Sequence, residues 1–270
     1  MLKKRILTAV VLACALLLVL FAMPPRWAVL VFGAVFTLGA WEWAGFGELR
    51  AVAARIGYAL GIAALLGLFW WWSADRANLL ILFSCACVWW IIAFLWLTLA
   101  PGRHQPLLAL LSGLPVLVPS FVALARLQVA QHGFASGPQA VLWLLLMVIG
   151  ADIGAFFAGR NFGRLKLAPR VSPSKTWEGA LGGMATVAAV AWVGAAHFGL
   201  SAAPTVAFGC SVGIFSIVGD LTESMFKRSA GLKDSGVLLP GHGGVLDRFD
   251  SVTAAAPLYA LGLFGSGVLA

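Results

Sequence analysis

The sequence predicts an all-α, polytopic integral-membrane bundle of about nine transmembrane helices. Hydrophobic residues make up 61% of the 270 residues and charged residues only 10%, whereas roughly a quarter of the residues in a soluble domain are charged. The mean hydropathy is +0.97. Apolar residues form unbroken runs such as residues 6–21, which is typical of spanning helices and not of the alternating strands of a membrane β-barrel.

Each predicted span is an apolar run between charged or Gly/Pro-rich breaks. The first run follows Lys3, Lys4 and Arg5, as in a signal peptide, but we interpret it as an uncleaved span because it is long and another span follows at once. Proline or glycine breaks end spans one, four, five and seven, charged residues end spans two and three, and basic connections follow spans six and eight. The predicted spans are residues 6–22, 27–46, 56–72, 79–100, 106–128, 140–159, 180–198, 206–226 and 251–270.

The basic residues predict the orientation of the bundle. A net charge of +8 would suggest nucleic acid as the partner of a soluble chain, but in a membrane protein it mainly sets topology. A cytoplasmic amino terminus places 15 of the 18 basic residues inside and leaves Arg26, Arg76 and Arg126 outside. We therefore expect a protein of a bacterial-type inner membrane that binds no nucleic acid, with an external carboxyl terminus and a site facing the cytoplasm.

The four cysteines predict no disulfide framework. Cys14, Cys85, Cys87 and Cys210 all lie in apolar runs and lack the spacing of metal ligands. We interpret them as small buried hydrophobic residues.

Charge also divides the chain into two regions. Residues 1–139 are interpreted as scaffold helices, and residues 140–270 as a catalytic membrane region with cytoplasmic loops at 160–179 and 227–250. These two loops hold nine of the 18 basic residues, and seven of the ten acidic residues lie at or beyond the sixth span.

One face of the eighth span carries ionisable residues. Ser216, Asp220, Glu223, Ser224 and Lys227 share a helical face. Because an ionisable group at mid-membrane costs at least about 2.5–3.5 kcal/mol, such a face is expected to meet a cavity or a partner. Glu223 and Lys227 could also form a simple interfacial ion pair. Asp220 has no basic neighbour one turn away, which favours a metal or a distant partner.

The segment that follows combines glycine, histidine and aspartate. Three glycines surround His242, and Asp247 and Asp250 can face the same way if a helix begins there. Backbone amides near glycine can bind phosphate, and carboxylates with phosphate oxygens suit Mg²⁺. The alternative is a glycine-rich hairpin that ends in an aspartate helix cap.

The loop before the seventh span is a candidate anion site. It contains Ser172, Ser174, Lys175 and Thr176 just before a predicted helix amino terminus. It lacks the glycine before lysine of a Walker A loop, and it could simply be a basic cytoplasmic loop.

Two further carboxylates lie within predicted spans. Asp152, near the cytoplasmic end of the sixth span, is a candidate functional residue because lone intramembrane aspartates need a partner. Glu42, between two tryptophans, is interpreted as a snorkelling carboxylate in an interfacial aromatic belt rather than as part of a site.

Residues 224–250 resemble the signature of the phosphatidate cytidylyltransferase family, the integral-membrane CDP-diacylglycerol synthases. The signature appears as Ser224-Met225-Phe226-Lys227-Arg228, then Lys233-Asp234-Ser235-Gly236, then Leu239-Pro240-Gly241-His242-Gly243-Gly244-Val245-Leu246-Asp247-Arg248-Phe249-Asp250. Residues 152–183, which include Ser172-Pro173-Ser174-Lys175-Thr176-Trp177-Glu178-Gly179, are also similar to this family. The specific motif matches lie in the last 120 residues or so. Before them, the resemblance is limited to the general arrangement of apolar spans.

The resemblance implies transfer of a cytidylyl group from CTP to phosphatidic acid, with Mg²⁺ required, as one or two cations, and a homodimer. Asp220 and Asp247 are the first candidates for metal ligands, with Glu223 and Asp250 next, and Lys227 and Arg248 join the two aspartates as catalytic candidates. The candidate substrate-binding residues are Ser172, Ser174, Lys175, Thr176, Arg228, Lys233, His242, Gly243 and Gly244. A CDP-alcohol phosphatidyltransferase and a transporter remain alternatives, although the usual Asp-Gly, Ala-Arg and Gly-Asp-Asp pattern of the former is absent and no inverted repeat suggests the latter.

Overall fold

The structure is a computed structural model that describes residues 2–100, 105–131, 136–238 and 243–268. The described residues form nine α-helices, and each predicted span corresponds to one of them. The helices are α1 (Leu2–Leu17, continued by a π-helical turn at Leu18–Ala22), α2 (Pro25–Trp43), α3 (Val52–Trp72), α4 (Arg76–Leu99), α5 (Pro106–Val129), α6 (Gly137–Phe162), α7 (Trp177–Phe198), α8 (Ala202–Ser229) and α9 (Asp250–Gly265).

Six helices of the described chain, α3 to α8, are long and apolar enough to cross a bilayer. The fold class is thus confirmed as a helical membrane bundle. The count of about nine spans is not confirmed: α9 has only 16 residues, and the apolar part of the first helix is the shorter segment Thr8–Ala22.

A two-stranded hairpin stands where the sequence suggested only a loop. Strand β1 (Lys166–Ala168) pairs antiparallel with β2 (Ser172–Thr176), and Lys166 lies opposite Thr176. The β2 strand leads directly into α7, where the Thr176 hydroxyl accepts a hydrogen bond from the Gly179 amide at 3.1 Å. The hairpin therefore fixes the polar loop at the start of α7.

The α6 and α7 helices pack closely against each other in the site region because small residues line their contact. A Cβ added at Gly182 would lie 2.2 Å from the Ala158 Cβ, and one at Gly154 would lie 2.1 Å from the Thr186 hydroxyl. Glycine at these positions lets the backbones approach, as is common in membrane helix pairs.

The core lies around α5 and α9, most of whose residues are buried. The Trp43 indole, at the end of α2, donates to the Ala109 carbonyl of α5 at 2.6 Å. The prediction that all four cysteines are buried is wrong. Cys14 and Cys85 are exposed, and Cys87 and Cys210 are partly exposed, because they lie on outward faces where an apolar thiol can contact lipid as easily as the core.

Candidate active site

The carboxyl-terminal turns of α8 carry the ionisable residues that the sequence placed on one face. Glu223 is 3% exposed and Lys227 is 8% exposed, and their charged atoms lie 3.0 Å apart. The predicted pair therefore exists, but it is buried rather than interfacial. Because the pair is buried, the loss of either partner would leave an unsolvated charge.

Asp247, in the 3₁₀ turn Leu246–Arg248, is a second carboxylate that shares the Lys227 ammonium with Glu223. The Lys227 ammonium donates to Asp247 Oδ1 at 2.6 Å, and the amides of Ser235 and Gly244 donate to Oδ2 at 2.9 and 2.8 Å. Burial alone would raise the pKa of Asp247, but the Lys227 contact and the two amides outweigh it and lower that pKa below its usual value. Asp247 is therefore held ionised and in one orientation.

Asp220 has a distant partner, one of the two alternatives left open by the sequence. Its carboxylate forms an ion pair with Lys175 of β2 and accepts the Ser224 hydroxyl at 3.3 Å. Asp152, on α6, lies within electrostatic range of Asp220, Lys175 and Arg248. The structure thus brings the hairpin, α6 and α8 together around Asp220.

Asp250 lies near both ion-paired groups, the Lys175–Asp220 pair and Lys227 with its two carboxylates. It begins α9, accepts the Ser251 amide at 2.7 Å and lies within electrostatic range of Asp220, Lys227 and Lys175. Among the described side chains, the connected cluster contains five carboxylates (Asp152, Asp220, Glu223, Asp247 and Asp250) and three cationic groups (Lys175, Lys227 and Arg248).

This cluster fits a divalent cation in charge and in donor type. By formal charge, five carboxylates against three cations leave an excess of two negative charges, and carboxylate oxygens are hard ligands suited to Mg²⁺. No group of three or more His, Cys, Asp or Glu side chains in the described chain forms a ready metal site. A cation here would thus be held by one or two carboxylates together with substrate phosphate oxygens, as is usual for Mg²⁺.

A cavity of about 370 Å³ lies beside the cluster, between α6, α7 and β2. The polar part of its wall comes from Asp152, Arg160, Ser174, Lys175 and Thr176, and apolar residues of α6, α7, β1 and α8 supply the rest. Lys175 therefore faces both the cavity and Asp220.

The remaining predicted binding residues have diverse positions. Arg228 is exposed and its Nη1 donates to the Leu232 carbonyl at 3.4 Å, and Lys233 is exposed as well. Ser172 lies half-buried on β2, and Gly243 has a positive φ of 83°. The Gly244 amide binds Asp247, as described above, and His242 lies outside the described residues.

Glu42 is a residue of this region that sequence reasoning missed. The interpretation as a snorkelling interfacial carboxylate is wrong, because Glu42 is only 2% exposed. Its carboxylate accepts hydrogen bonds from the Ser235 hydroxyl and from the amides of Val245 and Leu246. The flanking tryptophans suggested an interface, whereas the loop that covers Glu42 comes from about 200 residues further along the chain.

Comparisons with known proteins agree with the signature. A model of the cytidylyltransferase family matches residues 3–264. The phosphatidate cytidylyltransferase of Haemophilus influenzae is 39% identical over 282 aligned residues, covering 96% of this chain and 98% of that protein. That of Pseudomonas aeruginosa is 42% identical over 277 residues, covering 99% and 98%. A third, from Helicobacter pylori strain J99, is 32% identical over 257 residues, covering 94% and 89%.

These matches extend over nearly the whole chain, including the first half, where the signature carried no information. The family expected from residues 224–250 is confirmed. The chain belongs to the cytidylyltransferase family, together with the curated phosphatidate cytidylyltransferases.

Proposed function

We propose that this protein transfers the cytidylyl group of CTP to phosphatidic acid, giving CDP-diacylglycerol and pyrophosphate, in phospholipid biosynthesis. The observation that carries the proposal is the convergence of the signature residues on one cluster. Lys227 and Asp247 are 20 residues apart in sequence but in direct contact, and Lys175 reaches the same cluster from the hairpin.

The chemistry suits a site that offers charge and position rather than a nucleophile. An oxygen of the lipid phosphate attacks the α-phosphorus of CTP and forms a new P–O bond. The bond between the α-phosphorus and the oxygen that bridges the α- and β-phosphates breaks, which releases pyrophosphate. The lipid phosphate is already anionic at neutral pH, so no side chain has to form a covalent intermediate. Lys175, Lys227 and Arg248 are placed to offset the repulsion between the two phosphate groups.

We assign the polyphosphate of CTP to the hairpin. Ser174 and Lys175 line the cavity, and β2 runs directly into the amino terminus of α7, whose partial positive charge favours an anion. The Thr176 hydroxyl already accepts the Gly179 amide, so Thr176 shapes this end of the helix in addition to any contact with substrate.

Mg²⁺ is the cofactor that the cluster would hold, through Asp220 and Asp247 first and through Glu223 and Asp250 as further ligands. Such a cation would neutralise charge on the phosphate oxygens, and two cations would act on the attacking and the leaving oxygen. In this proposal Lys175 and Lys227 exchange part of their contact with the carboxylates for contact with substrate phosphates.

We infer the orientation from the distribution of the basic residues and from the position of the site residues, which lie at the same end of the bundle. We propose that α1, α2 and α9 also cross the membrane, which gives nine spans, with the amino terminus and the active site on the cytoplasmic side of a bacterial inner membrane. We further propose a homodimer. Cross-linking of single cysteines in membranes would test the dimer.

The decisive experiment is incubation of the purified protein with radiolabelled CTP, phosphatidic acid and Mg²⁺ in mixed micelles. The expected result is label in a lipid product and release of pyrophosphate, with no product when phosphatidic acid or Mg²⁺ is omitted. Asp247→Asn serves as the matched inactive control. A wild-type protein that is folded and forms no labelled lipid would refute the proposed function.

A further inference from the structure

Glu42 lies under the loop that carries Asp247, and no step of the proposed reaction uses it. It belongs to α2, in the half of the chain that the sequence indicated as scaffold, and it is 2% exposed. A buried carboxylate needs compensation. Glu42 receives it from three donors of the loop: the Ser235 hydroxyl at 3.0 Å, the Val245 amide at 3.0 Å and the Leu246 amide at 2.8 Å.

Consecutive amides of the loop bind two different carboxylates. The Gly244 amide donates to Asp247, whereas the next two amides, of Val245 and Leu246, donate to Glu42. Ser235 repeats this division, since its amide donates to Asp247 and its hydroxyl donates to Glu42. The backbone amides of Ser235 and Gly244, which orient Asp247, therefore belong to or adjoin the residues that Glu42 binds.

The glycines of the loop give a second, independent observation. A Cβ added at Gly236 would lie 2.3 Å from Glu42 Oε1, and one at Gly244 would lie 2.0 Å from the Ser235 hydroxyl and 2.5 Å from Glu42 Oε2. Real Cβ atoms do not approach other atoms so closely. Gly236 and Gly244 therefore let the loop backbone close over the Glu42 carboxylate.

We propose that Glu42 is a positioning residue for the cytidylyl transfer: it holds residues 235 and 244–246 so that Asp247 stays oriented toward Lys227. The inference rests on the proposed function. Glu42 acts through the loop and touches no substrate. Its role requires two acceptor oxygens, because Oε2 takes the Ser235 and Leu246 donors while Oε1 takes Val245. A glutamine of the same size would turn an NH₂ group toward one of these donors.

The test compares Glu42→Gln with Ser235→Ala, with the double variant and with Thr37→Val as the control. Thr37 lies on the same helix, and its hydroxyl donates to the Gly33 carbonyl within α2 at 2.7 Å. Each purified variant is titrated separately with CTP and with phosphatidic acid, and its thermal unfolding is followed in the same detergent. The control should keep both the wild-type kcat and the wild-type unfolding temperature.

We expect Glu42→Gln to lower kcat at least tenfold while both KM values change less than about threefold, because a misoriented Asp247 affects the transition state more than ground-state binding. Ser235→Ala should lower kcat less, about three- to tenfold. The double variant should fall short of the product of the two single effects, since both act through the same contact.

Two results would overturn the inference: a folded Glu42→Gln protein with wild-type kcat, or single effects that multiply in the double variant. If Glu42→Gln cannot be purified in folded form, Ser235→Ala decides alone, and an unchanged kcat there counts against the inference. The wild type separates this outcome from failure of the proposed function. If the wild type forms no labelled lipid, the function is wrong, whereas an active wild type with a fully active Glu42→Gln removes only the role of Glu42.

Discussion

Replacing Lys227 by methionine should destabilise the fold as well as remove activity. The Lys227 ammonium lies between Glu223 and Asp247, at 3.0 and 2.6 Å, and the side chains of these three residues are 10%, 3% and 6% exposed. Methionine fills a similar volume without the charge. The substitution leaves two neighbouring carboxylates buried without their shared cation.

The expected magnitude follows from burial. Removing one partner of a buried ion pair costs about 3–5 kcal/mol, because the remaining charge is not solvated. At about 2–4 °C per kcal/mol for a chain of this size, the unfolding temperature should fall by on the order of 6–20 °C.

Lys175→Met is the matched control, since it also removes a lysine from an aspartate in the same cluster. The Lys175 and Asp220 side chains are 28% and 22% exposed, so water can solvate the remaining carboxylate and the cost should stay below about 1 kcal/mol. Adding Glu223→Gln to Lys227→Met removes one of the two uncompensated charges and should recover part of the lost stability.

The assay is thermal unfolding of the purified proteins in one detergent at one pH, followed by intrinsic tryptophan fluorescence. Equal shifts for Lys227→Met and Lys175→Met would refute the reasoning, because burial would then not decide the cost. A Glu223→Gln substitution that lowers the stability of Lys227→Met further would refute the assignment of a shared cation.

Three further predictions concern activity and topology. Asp220→Asn and Asp247→Asn should each abolish cytidylyl transfer in a folded protein, because an amide keeps the size of the carboxylate and loses its charge; turnover at limiting Mg²⁺ is the measurement. Lys175→Ala should raise the KM for CTP more than that for phosphatidic acid, because it binds a soluble polyphosphate, and Ser174→Ala should act more weakly. Single cysteines at positions 164 and 237, in a chain lacking the native four, should react with impermeant thiol reagents only from the cytoplasmic side.

Each of these predictions has an outcome that contradicts it. Near-normal turnover of either asparagine variant would remove that residue from the proposed metal ligands. A Lys175→Ala effect confined to phosphatidic acid would reassign the hairpin to the lipid head group. Labelling from outside intact cells would reverse the orientation. Position 237 is suitable because Val237 is 94% exposed, whereas a side chain at the neighbouring Gly236 would clash with Glu42.

The helices were predictable because a bilayer imposes one simple rule, an apolar run of about 20 residues. The ends of the helices were less predictable from the sequence. The sixth span was predicted as 140–159 and the helix is Gly137–Phe162, because helices continue into the interface, where polar residues no longer oppose them. The hairpin was not predictable from pattern: β2 reads Ser-Pro-Ser-Lys-Thr, a polar segment with proline, and it is a strand only because β1 lies beside it.

The sequence predicts the site contacts that lie within one helix, but not the contacts between distant segments of the chain. The helical offsets of Asp220, Glu223 and Lys227 follow from α8 alone. Contact between Lys175 and Asp220 spans 45 residues and two separate elements, so the sequence could state only that Asp220 needed some partner.

The role of Glu42 was missed for the same reason, because its hydrogen-bond donors come from a distant segment. The backbone amides of that segment nevertheless favour Glu42 as their acceptor. Each buried amide of the loop must find an acceptor, and among the described amides Asp247 accepts those of Ser235 and Gly244. The amides of Val245 and Leu246 donate instead to Glu42, which lies outside the loop. Within residues 1–139 the acidic residues are Glu42, Glu48 and Asp75, and only Glu42 lies inside a predicted span, near the end predicted to face the cytoplasm. Counting donors in the glycine-rich loop would thus have favoured Glu42 as a loop ligand over an interfacial residue.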